Sequence, residues 1–320
     1  MAEKRVQAMG AVGPDAVSAR KRSWNPLGNE AHFAYSFLVP LVLFLILAAI
    51  FPLIYSLWIS FHQVPFSLEP GAWQFVGLQN FVDAVLSPES RSAVLLSVVY
   101  AASVTFMCLI LSLAGALILN EQFRGRKMLL LVSILPMALS TYATAILWRY
   151  IYSESLGMLN AVLTNLNIIE NGIQYITPSS AIFLVAVAHS WQMAPFGMTF
   201  FLAALQVIPP DMYRVARVDR LGLIGRFRHV TFPYLRGTII ATSVLFMIAA
   251  FKVFDIIYFL TVGGPGNAST TMTYRIYLQT FRAYNYGYGS AQGFILLLIL
   301  VILLVIYFVF YTREQTKSST

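Results

Sequence analysis

Long apolar runs separated by short polar connections set the pattern of this chain. A helix needs about 20 mostly apolar residues to cross the hydrocarbon layer of a bilayer. Six runs reach that scale with almost no charge, at 36–61, 93–120, 128–151, 180–207, 237–262 and 290–311. A transmembrane barrel would show weak alternation in segments of about ten residues, whereas these runs are continuous. Pro40, Pro52, Pro136 and Pro195 fall inside them. Membrane helices accept such prolines as kinks, because neighbouring groups satisfy the freed backbone. The pattern predicts an all-α polytopic membrane protein with six transmembrane helices. It divides the chain into a tail at 1–34, a six-span domain at 35–312 and a second tail at 313–320.

Charge orients the spans. Only 11% of the residues are charged, against about 25% in an ordinary soluble domain. Lys4, Arg5, Arg20, Lys21 and Arg22 precede the first run, and Arg91 alone carries positive charge in the next connection. Arg124, Arg126 and Lys127 crowd the second connection, at 121–127, and 152–179 has no Lys or Arg. Arg214, Arg217, Arg220, Arg226, Arg228 and Arg236 fill 208–236, Arg275 and Arg282 lie in 263–289, and Arg313 and Lys317 follow the last run. This alternation predicts a multi-pass protein of the cell (plasma or inner) membrane, with both termini and the 121–127 and 208–236 loops in the cytoplasm. Membrane orientation accounts for the net charge of +8, so no nucleic-acid partner is expected. Residues 1–34 are mostly polar and no small-residue cleavage site follows a short apolar stretch, so no cleavable signal peptide is expected. Cys108, the single cysteine, lies within an apolar run and reads as a small buried hydrophobe.

The 208–236 loop is longer than a turn between spans requires. Pro209-Pro210 ends the fourth run, Asp211 reads as an N-cap, and Met212, Val215, Ala216 and Val218 gather on one side of a helix. Gly222 reads as the helix stop and Gly225 as a second break, leaving Arg226–Thr231 as a second short helix before Pro233. On spacing alone, an amphipathic surface helix that holds lipid headgroups fits this pattern as well as a docking element does.

Catalytic chemistry is missing from the sequence. No G-x-x-x-x-G-K-[ST] phosphate loop occurs, and His32, His62, His189 and His229 lack metal-ligand spacing. No enzyme activity, cofactor or metal is therefore expected on this chain. Gly263-Gly264-Pro265-Gly266 reads as a turn, and Asn267-Ala268-Ser269 is a short sequon match of the kind that arises by chance.

In the loop, Tyr213, Ala216, Asp219, Phe227, Thr231 and Pro233 stand in register with the pattern Tyr-Glu-Ala-Ala-x-x-Asp-Gly-Ala followed by Phe-x-x-Ile-Thr-Leu-Pro. The chain thereby resembles the permease subunits of binding-protein-dependent ABC importers. Phe75–Phe81, Leu135-Pro136 with Trp148-Arg149-Tyr150, Phe251–Tyr258 and Gly263–Ala268 resemble the carbohydrate-uptake class of that family. The resemblance implies the type I ABC importer permease architecture and a cytoplasmic loop that couples to a separate ATPase. Tyr213, Arg214, Val215, Ala216, Asp219, Arg220, Gly222, Phe227 and Pro233 would form that loop. It further implies a second homologous permease subunit, two ATPase subunits carrying ATP and Mg, an extracytoplasmic solute-binding protein, and a sugar, oligosaccharide, polyol or sugar phosphate as the solute. Arg214, Val215 and Arg220 depart from the pattern, replacing its glutamate, first alanine and glycine.

Polar groups inside the spans are the candidates for the solute path. Lys252 and Asp255 are three apart, which on a continuous helix places them on one face. They read either as path-lining groups or as a structural ion pair. His189, Trp191 and Gln192, just before Pro195, read either as a midplane site or as polar helix packing. Tyr142 and Tyr258 are weaker candidates of the same kind, while Tyr274, Tyr277, Phe281 and Tyr284 read as an interfacial belt or a receptor surface. An ion-coupled secondary transporter remains an alternative, with Lys252–Asp255 as its one candidate coupling group.

Overall fold

The computed structural model describes residues 29–64 and 73–318. The predicted tail at 1–34 therefore lies largely outside the described residues. The chain divides into two units at Tyr55/Ser56. The first unit holds α1 (Asn29–Leu45), a π-helical turn at Ile46–Ile50, and the start of α2 (Phe51–Ser60). The second holds the end of α2 and then α3 (Gln79–Leu86), α4 (Pro88–Asn120), α5 (Arg126–Ala138), α6 (Thr141–Ile151) and α7 (Met158–Asn165). After these come α8 (Ala181–Val207), α9 (Pro210–Val218), α10 (Leu223–Arg226), α11 (Phe232–Phe251), α12 (Asp255–Leu260), α13 (Met272–Tyr277) and α14 (Tyr286–Ser318). Two short strands, β1 (His62–Gln63) and β2 (Gln74–Phe75), pair antiparallel with His62 opposite Phe75.

Among the described residues, five stretches are long and apolar enough to cross a membrane: Tyr35–Ser60, Pro88–Asn120, Ala181–Val207, Leu223–Phe251 and Tyr286–Val309. The expected third span is not one helix. Its halves, α5 and α6, meet at an angle of 101°, so the sixth span exists only as a broken pair. Pro136 sits in the last turn of α5, and Leu139 and Ser140 adopt extended backbone with ψ of 142° and 150°. The Ser140 hydroxyl then caps α6 by accepting from the Ala143 amide at 3.2 Å. A second correction concerns the fifth span. Helical backbone runs without a break from Leu223 to Phe251, and the chain turns at Lys252–Phe254 rather than continuing to 262.

The core is built on α4 against α8. Ala93, Ser97, Ala101, Cys108, Ser112 and Ala116 line the buried side of α4, and Ala181, Val185, Ala188, Ala194 and Gly197 line that of α8. Small side chains let two backbones approach closely where lipid offers no hydrophobic drive. Polar groups then tie the seam. The Tyr100 hydroxyl and His189 Nδ1 lie 2.7 Å apart, Ser112 Oγ donates to the Ala194 carbonyl at 2.7 Å, and Ser190 Oγ donates to the Val104 carbonyl at 3.4 Å. Phe246 of α11 is fully buried against this seam, in one cluster with Tyr100, Val104 and Cys108.

Where α4, α8 and α14 begin, two asparagines hold the connections. Asn80 Nδ2 donates to the carbonyls of Ser60 and His62 at 2.9 and 3.0 Å. Asn160, 5% exposed, donates to Glu154 and Ile173 carbonyls and accepts from the Ile173 amide and the Tyr175 hydroxyl. The Gly263–Asn267 segment is a turn, as expected, with positive φ at Gly263, Gly266 and Asn267. In the Asn267-Ala268-Ser269 match, Asn267 is exposed and Ser269 is fully buried.

The seam makes a direct prediction. A Cβ on Gly197 would lie 2.5 Å from Phe246 Cζ and 2.6 Å from Ser112 Oγ. Overpacking of that kind costs about 1–3 kcal/mol, so Gly197→Ala lowers the thermal unfolding midpoint in mild detergent. An unchanged midpoint would refute a closed seam at this position.

Candidate functional site

Two groups of residues were marked by the sequence, and the structure treats them differently. In the 208–236 loop, α9 begins at Pro210 with Pro209 as N-cap, so Asp211 lies in the first turn rather than at the cap. There it pairs with Arg214 at 2.9 Å, and the two side chains are 76% and 69% exposed, respectively. The apolar stripe also sorts differently from expectation. Ala216 is 3% exposed and Tyr213 packs beside it, whereas Val215 and Val218 are 59% and 81% exposed. The Tyr213 hydroxyl lies 3.1 Å from Thr231 Oγ1, and Ala216 joins the same cluster as Val230 and Leu235. One face of α9 therefore rests on the root of α11, and the apolar Val215 and Val218 point away from it. Leu223 and Ile224, 79% and 84% exposed, extend this outward surface.

The helix stop after α9 is Arg220, two residues before Gly222. The Arg220 amide donates to the Arg217 carbonyl and the Leu221 amide to the Ala216 carbonyl, both at 3.0 Å. This is the Schellman arrangement, whose C′ residue takes the left-handed conformation and favours glycine. Here Arg220 occupies it with φ of 57°. The glycine of the family pattern thus has a backbone reason, and Arg220 holds the position at a cost of about 1 kcal/mol. Gly222 has φ of −65°, and a Cβ there would meet nothing within 4 Å, so it imposes no such requirement. The predicted break at Gly225 does not occur. A π-helical turn at Phe227–Thr231 joins α10 to α11, and Pro233, which lacks an N–H, enters the helix just after it. Phe227 packs near Phe232, with ring centroids 6.3 Å apart.

The polar residues of α8 have partners within the chain. His189 is 7% exposed and stacks on Tyr100, and its ring is engaged by that hydroxyl. Gln192, 8% exposed, donates from Nε2 to the Leu139 carbonyl at 2.8 Å. That carbonyl belongs to the break between α5 and α6, where a backbone group freed from the helix at membrane depth needs a partner. Trp191 meets Trp148 edge-on at 5.9 Å. Tyr142, 55% exposed, meets Phe259 edge-on at 4.6 Å.

Lys252 and Asp255 do not share a helix face. Lys252 follows the end of α11 and Asp255 begins α12, with the turn between them. Both are exposed, and among the described residues no ion pair or hydrogen bond engages either side chain. Charge held against lipid near the middle of a bilayer costs about 2.5–3.5 kcal/mol on insertion scales, so these two groups must face water or protein. Tyr258, one turn into α12, lies in a ring cluster with Phe254, Tyr274 and Tyr277. Sequence spacing missed this cluster because it joins two segments that are remote in the chain. No group of three or more potential metal ligands exists among the described residues.

Comparison with known proteins gives a consistent picture. The family described as "Binding-protein-dependent transport system inner membrane component" matches residues 108–315. The chain is 35% identical over 268 residues to the trehalose/maltose transport system permease protein MalF of Thermococcus litoralis, covering 82% of this chain and 88% of that one. It is 31% identical over 261 residues to the sn-glycerol-3-phosphate transport system permease protein UgpA of Yersinia pestis, covering 81% and 87%. Among solved structures, a bacterial ABC transporter involved in the import of the acidic polysaccharide alginate shares the fold. Its TM-score is 0.77 over 89% of this chain and 96% of that chain, at 20% identity.

Two substitutions test the local readings. Arg220→Gly relieves the left-handed strain and slows amide exchange across α9 by the equivalent of about 1 kcal/mol; unchanged or faster exchange would count against the Schellman assignment. Gln192→Leu strands the Leu139 carbonyl and destabilises the fold by about 1–3 kcal/mol, read as a lower unfolding midpoint. A neutral Gln192→Leu would return this residue to the list of path candidates.

Proposed function

This chain belongs to the binding-protein-dependent transport system inner membrane components, and from that premise we propose that it carries a sugar or related polyhydroxy solute across the membrane by alternating access. As a permease subunit of an ABC importer it has no phosphate loop of its own, and the ATPase is a separate subunit. The relatives named for trehalose and maltose, for glycerol 3-phosphate and for alginate support the solute class.

The observation that carries the coupling reading is the outward apolar face of α9 and α10. Val215, Val218, Leu223 and Ile224 stand exposed on an element whose other face is fixed to α11 by Tyr213 and Ala216. An apolar surface of this kind on a fixed support is a docking surface. The proposed occupant is an ATPase subunit, with ATP and Mg held there. The loop then lies in the cytoplasm, as do both termini. Closure of an ATPase pair on ATP moves α9, and the continuous helix from Leu223 to Phe251 carries that movement into the membrane. A second permease chain completes the path, and an extracytoplasmic binding protein delivers the solute. A secondary transporter finds no support, since Lys252 and Asp255 form no pair that could serve as a buried ion site.

The test is affinity purification of the tagged chain from its own host in mild detergent, with mass spectrometry of what accompanies it. An ATPase and a second six-span protein are expected. The double variant Val218→Asp/Ile224→Asp keeps the second permease and loses the ATPase by more than tenfold, the scale of a lost interface hot spot. A chain that purifies alone would overturn the importer reading. Full ATPase retention by the double variant would move the docking surface elsewhere.

A further inference from the structure

The corner between α4 and α5 belongs neither to the α4–α8 seam nor to the proposed docking face. Gly125, with φ of 92°, turns the chain there, and the Arg126 amide donates to the Phe123 carbonyl at 3.3 Å. Beside the turn lies a cleft of about 480 Å³, lined by Gln122, Phe123, Gly125, Arg126, Lys127 and Leu130. Small-ligand clefts run to about 300–1,000 Å³. The charge of this corner is one-sided. Arg124, Arg126 and Lys127 stand against one carboxylate, Glu121. Arg126 is half-buried and the other three are exposed. Among the described residues no ion pair or hydrogen bond engages any of the four side chains. Cations without partners inside the chain favour an anion from outside it.

The helix that follows continues the corner into the membrane. Met128, Leu131, Val132 and Leu135 recur at i, i+3, i+4 and i+7, which makes one stripe along α5, and each is exposed. The stripe starts directly after Lys127, so the cations stand at the edge of an apolar zone. Another face of α5 turns inward. Leu130 and Ile134 pack on the cluster of Leu119, Ala216, Val230 and Leu235. That cluster seats α9, and Leu130 lines the cleft as well. A soluble anion would use the cations and leave the stripe idle. An anion with an apolar tail uses both. Arg and Lys bind phosphate oxygens through charge-assisted hydrogen bonds, and anionic lipids of the cytoplasmic leaflet attract basic residues at the ends of spans.

We propose that the α4–α5 corner binds an anionic phospholipid. Arg126 and Lys127, with Arg124 beside them, take the phosphate at the cleft, and an acyl chain lies along Met128, Leu131, Val132 and Leu135. Occupancy steadies the start of α5 and, through Leu130, the seat of α9. The site rests on the cytoplasmic placement of this corner proposed above, and it adds lipid dependence to the coupling loop.

Lipid titration tests it. The tagged chain, purified in mild detergent with whatever accompanies it, is delipidated and titrated with phosphatidylglycerol or with phosphatidylcholine of the same acyl chains. Native mass spectrometry counts the bound lipid. Phosphatidylglycerol binds about tenfold tighter than phosphatidylcholine, and Arg126→Gln/Lys127→Gln erases the preference. Arg217→Gln/Arg228→Gln removes equal charge from the 208–236 loop and keeps it. Phosphatidylglycerol also slows amide exchange across α9 about threefold, and the 126/127 variant does not respond. Equal loss in both double variants assigns the binding to diffuse charge and overturns the site. Displacement of the lipid by inorganic phosphate overturns it in favour of a soluble anion. Binding that appears only after an ATPase is stripped away overturns it in favour of a protein contact. Unchanged α9 exchange at saturating lipid overturns the link to the coupling loop. Where the double variant does not accumulate, Lys127→Gln replaces it, with a loss of about fivefold. The lipid count needs no ATPase, so failure of this site and failure of the importer reading are separate results.

Discussion

The second unit depends on the close approach of α4 and α8. Within lipid, apolar surface gains nothing by leaving one hydrocarbon environment for another, so helices hold together by fit and by hydrogen bonds. The row Ser97, Ala101, Cys108, Ser112 and Ala116 supplies the fit on α4, with Ala188, Ala194 and Gly197 opposite. Tyr100, Ser112 and Ser190 supply bonds across it. The other elements take position from this seam. Phe246 of α11 fits against Gly197, where no side chain stands, and Gln192 of α8 reaches the Leu139 carbonyl that fixes the corner between α5 and α6.

From that seam, a line of rigid and breakable parts runs to both ends of the molecule. Tyr213 and Ala216 fasten α9 to the root of α11, and the helix from Leu223 to Phe251 then has no interruption. Over 29 residues it spans about 43 Å. It stops at Lys252–Phe254, and α12 begins at Asp255. The third span is also interrupted, at Leu139–Ser140. The segments beyond the two breaks meet: Tyr142 of α6 touches Phe259 of α12 edge-on, and Arg149 Nη1 donates to the Phe259 carbonyl at 3.4 Å. Irregular backbone at membrane depth survives where protein or water covers it. Here a side chain covers one break, and the exposed charges beside the other mark a face turned to water or protein. Two rigid helices that end in linked short segments can pass a shift at α9 to the α6–α12 pair without bending.

The sequence made the spans legible because length and lack of charge suffice to define them. It also made the 208–236 loop legible, since a long basic connection with helix signals stands out against greasy neighbours. What it concealed were features that need a partner remote in the chain. Pro136 signalled a kink, but the 101° corner depends on Ser140 capping the next helix and on Gln192 arriving from α8. His189 and Gln192 stood out because polar groups in a span are rare, and the partners they find, the Tyr100 hydroxyl and the Leu139 carbonyl, come from α4 and from the corner after α5. Lys252 and Asp255 were placed on one face by a rule that holds only on a continuous helix, and the helix ends between them. Val215 and Val218 were grouped with Ala216, although the face that packs is the one carrying Tyr213 and Ala216. Arg220 could be read only as a missing glycine, and the left-handed backbone that gives that glycine its reason appears only in three dimensions.

The departures at 214 and 220 differ in kind. Arg220 strains the backbone of the chain itself, whatever sits on the loop. Arg214 leaves the fold untouched, because its side chain is 69% exposed and its one ion pair among the described residues is with Asp211. An exposed pair of this sort contributes about 0–1 kcal/mol. Arg214 can therefore leave Asp211 at little cost and turn to a carboxylate on a docked partner, while Asp211, released, can meet a basic group one turn away. The charge reversal relative to the family pattern thus does not make α9 a cationic surface. It makes the end of the proposed docking face an adjustable acid–base pair beside a fixed apolar patch. The fixed part, Val215 and Val218 with Leu223 and Ile224, supplies area; the adjustable part supplies register. On the proposed docking of an ATPase subunit, the partner needs an apolar groove first and a charge of either sign only at its rim.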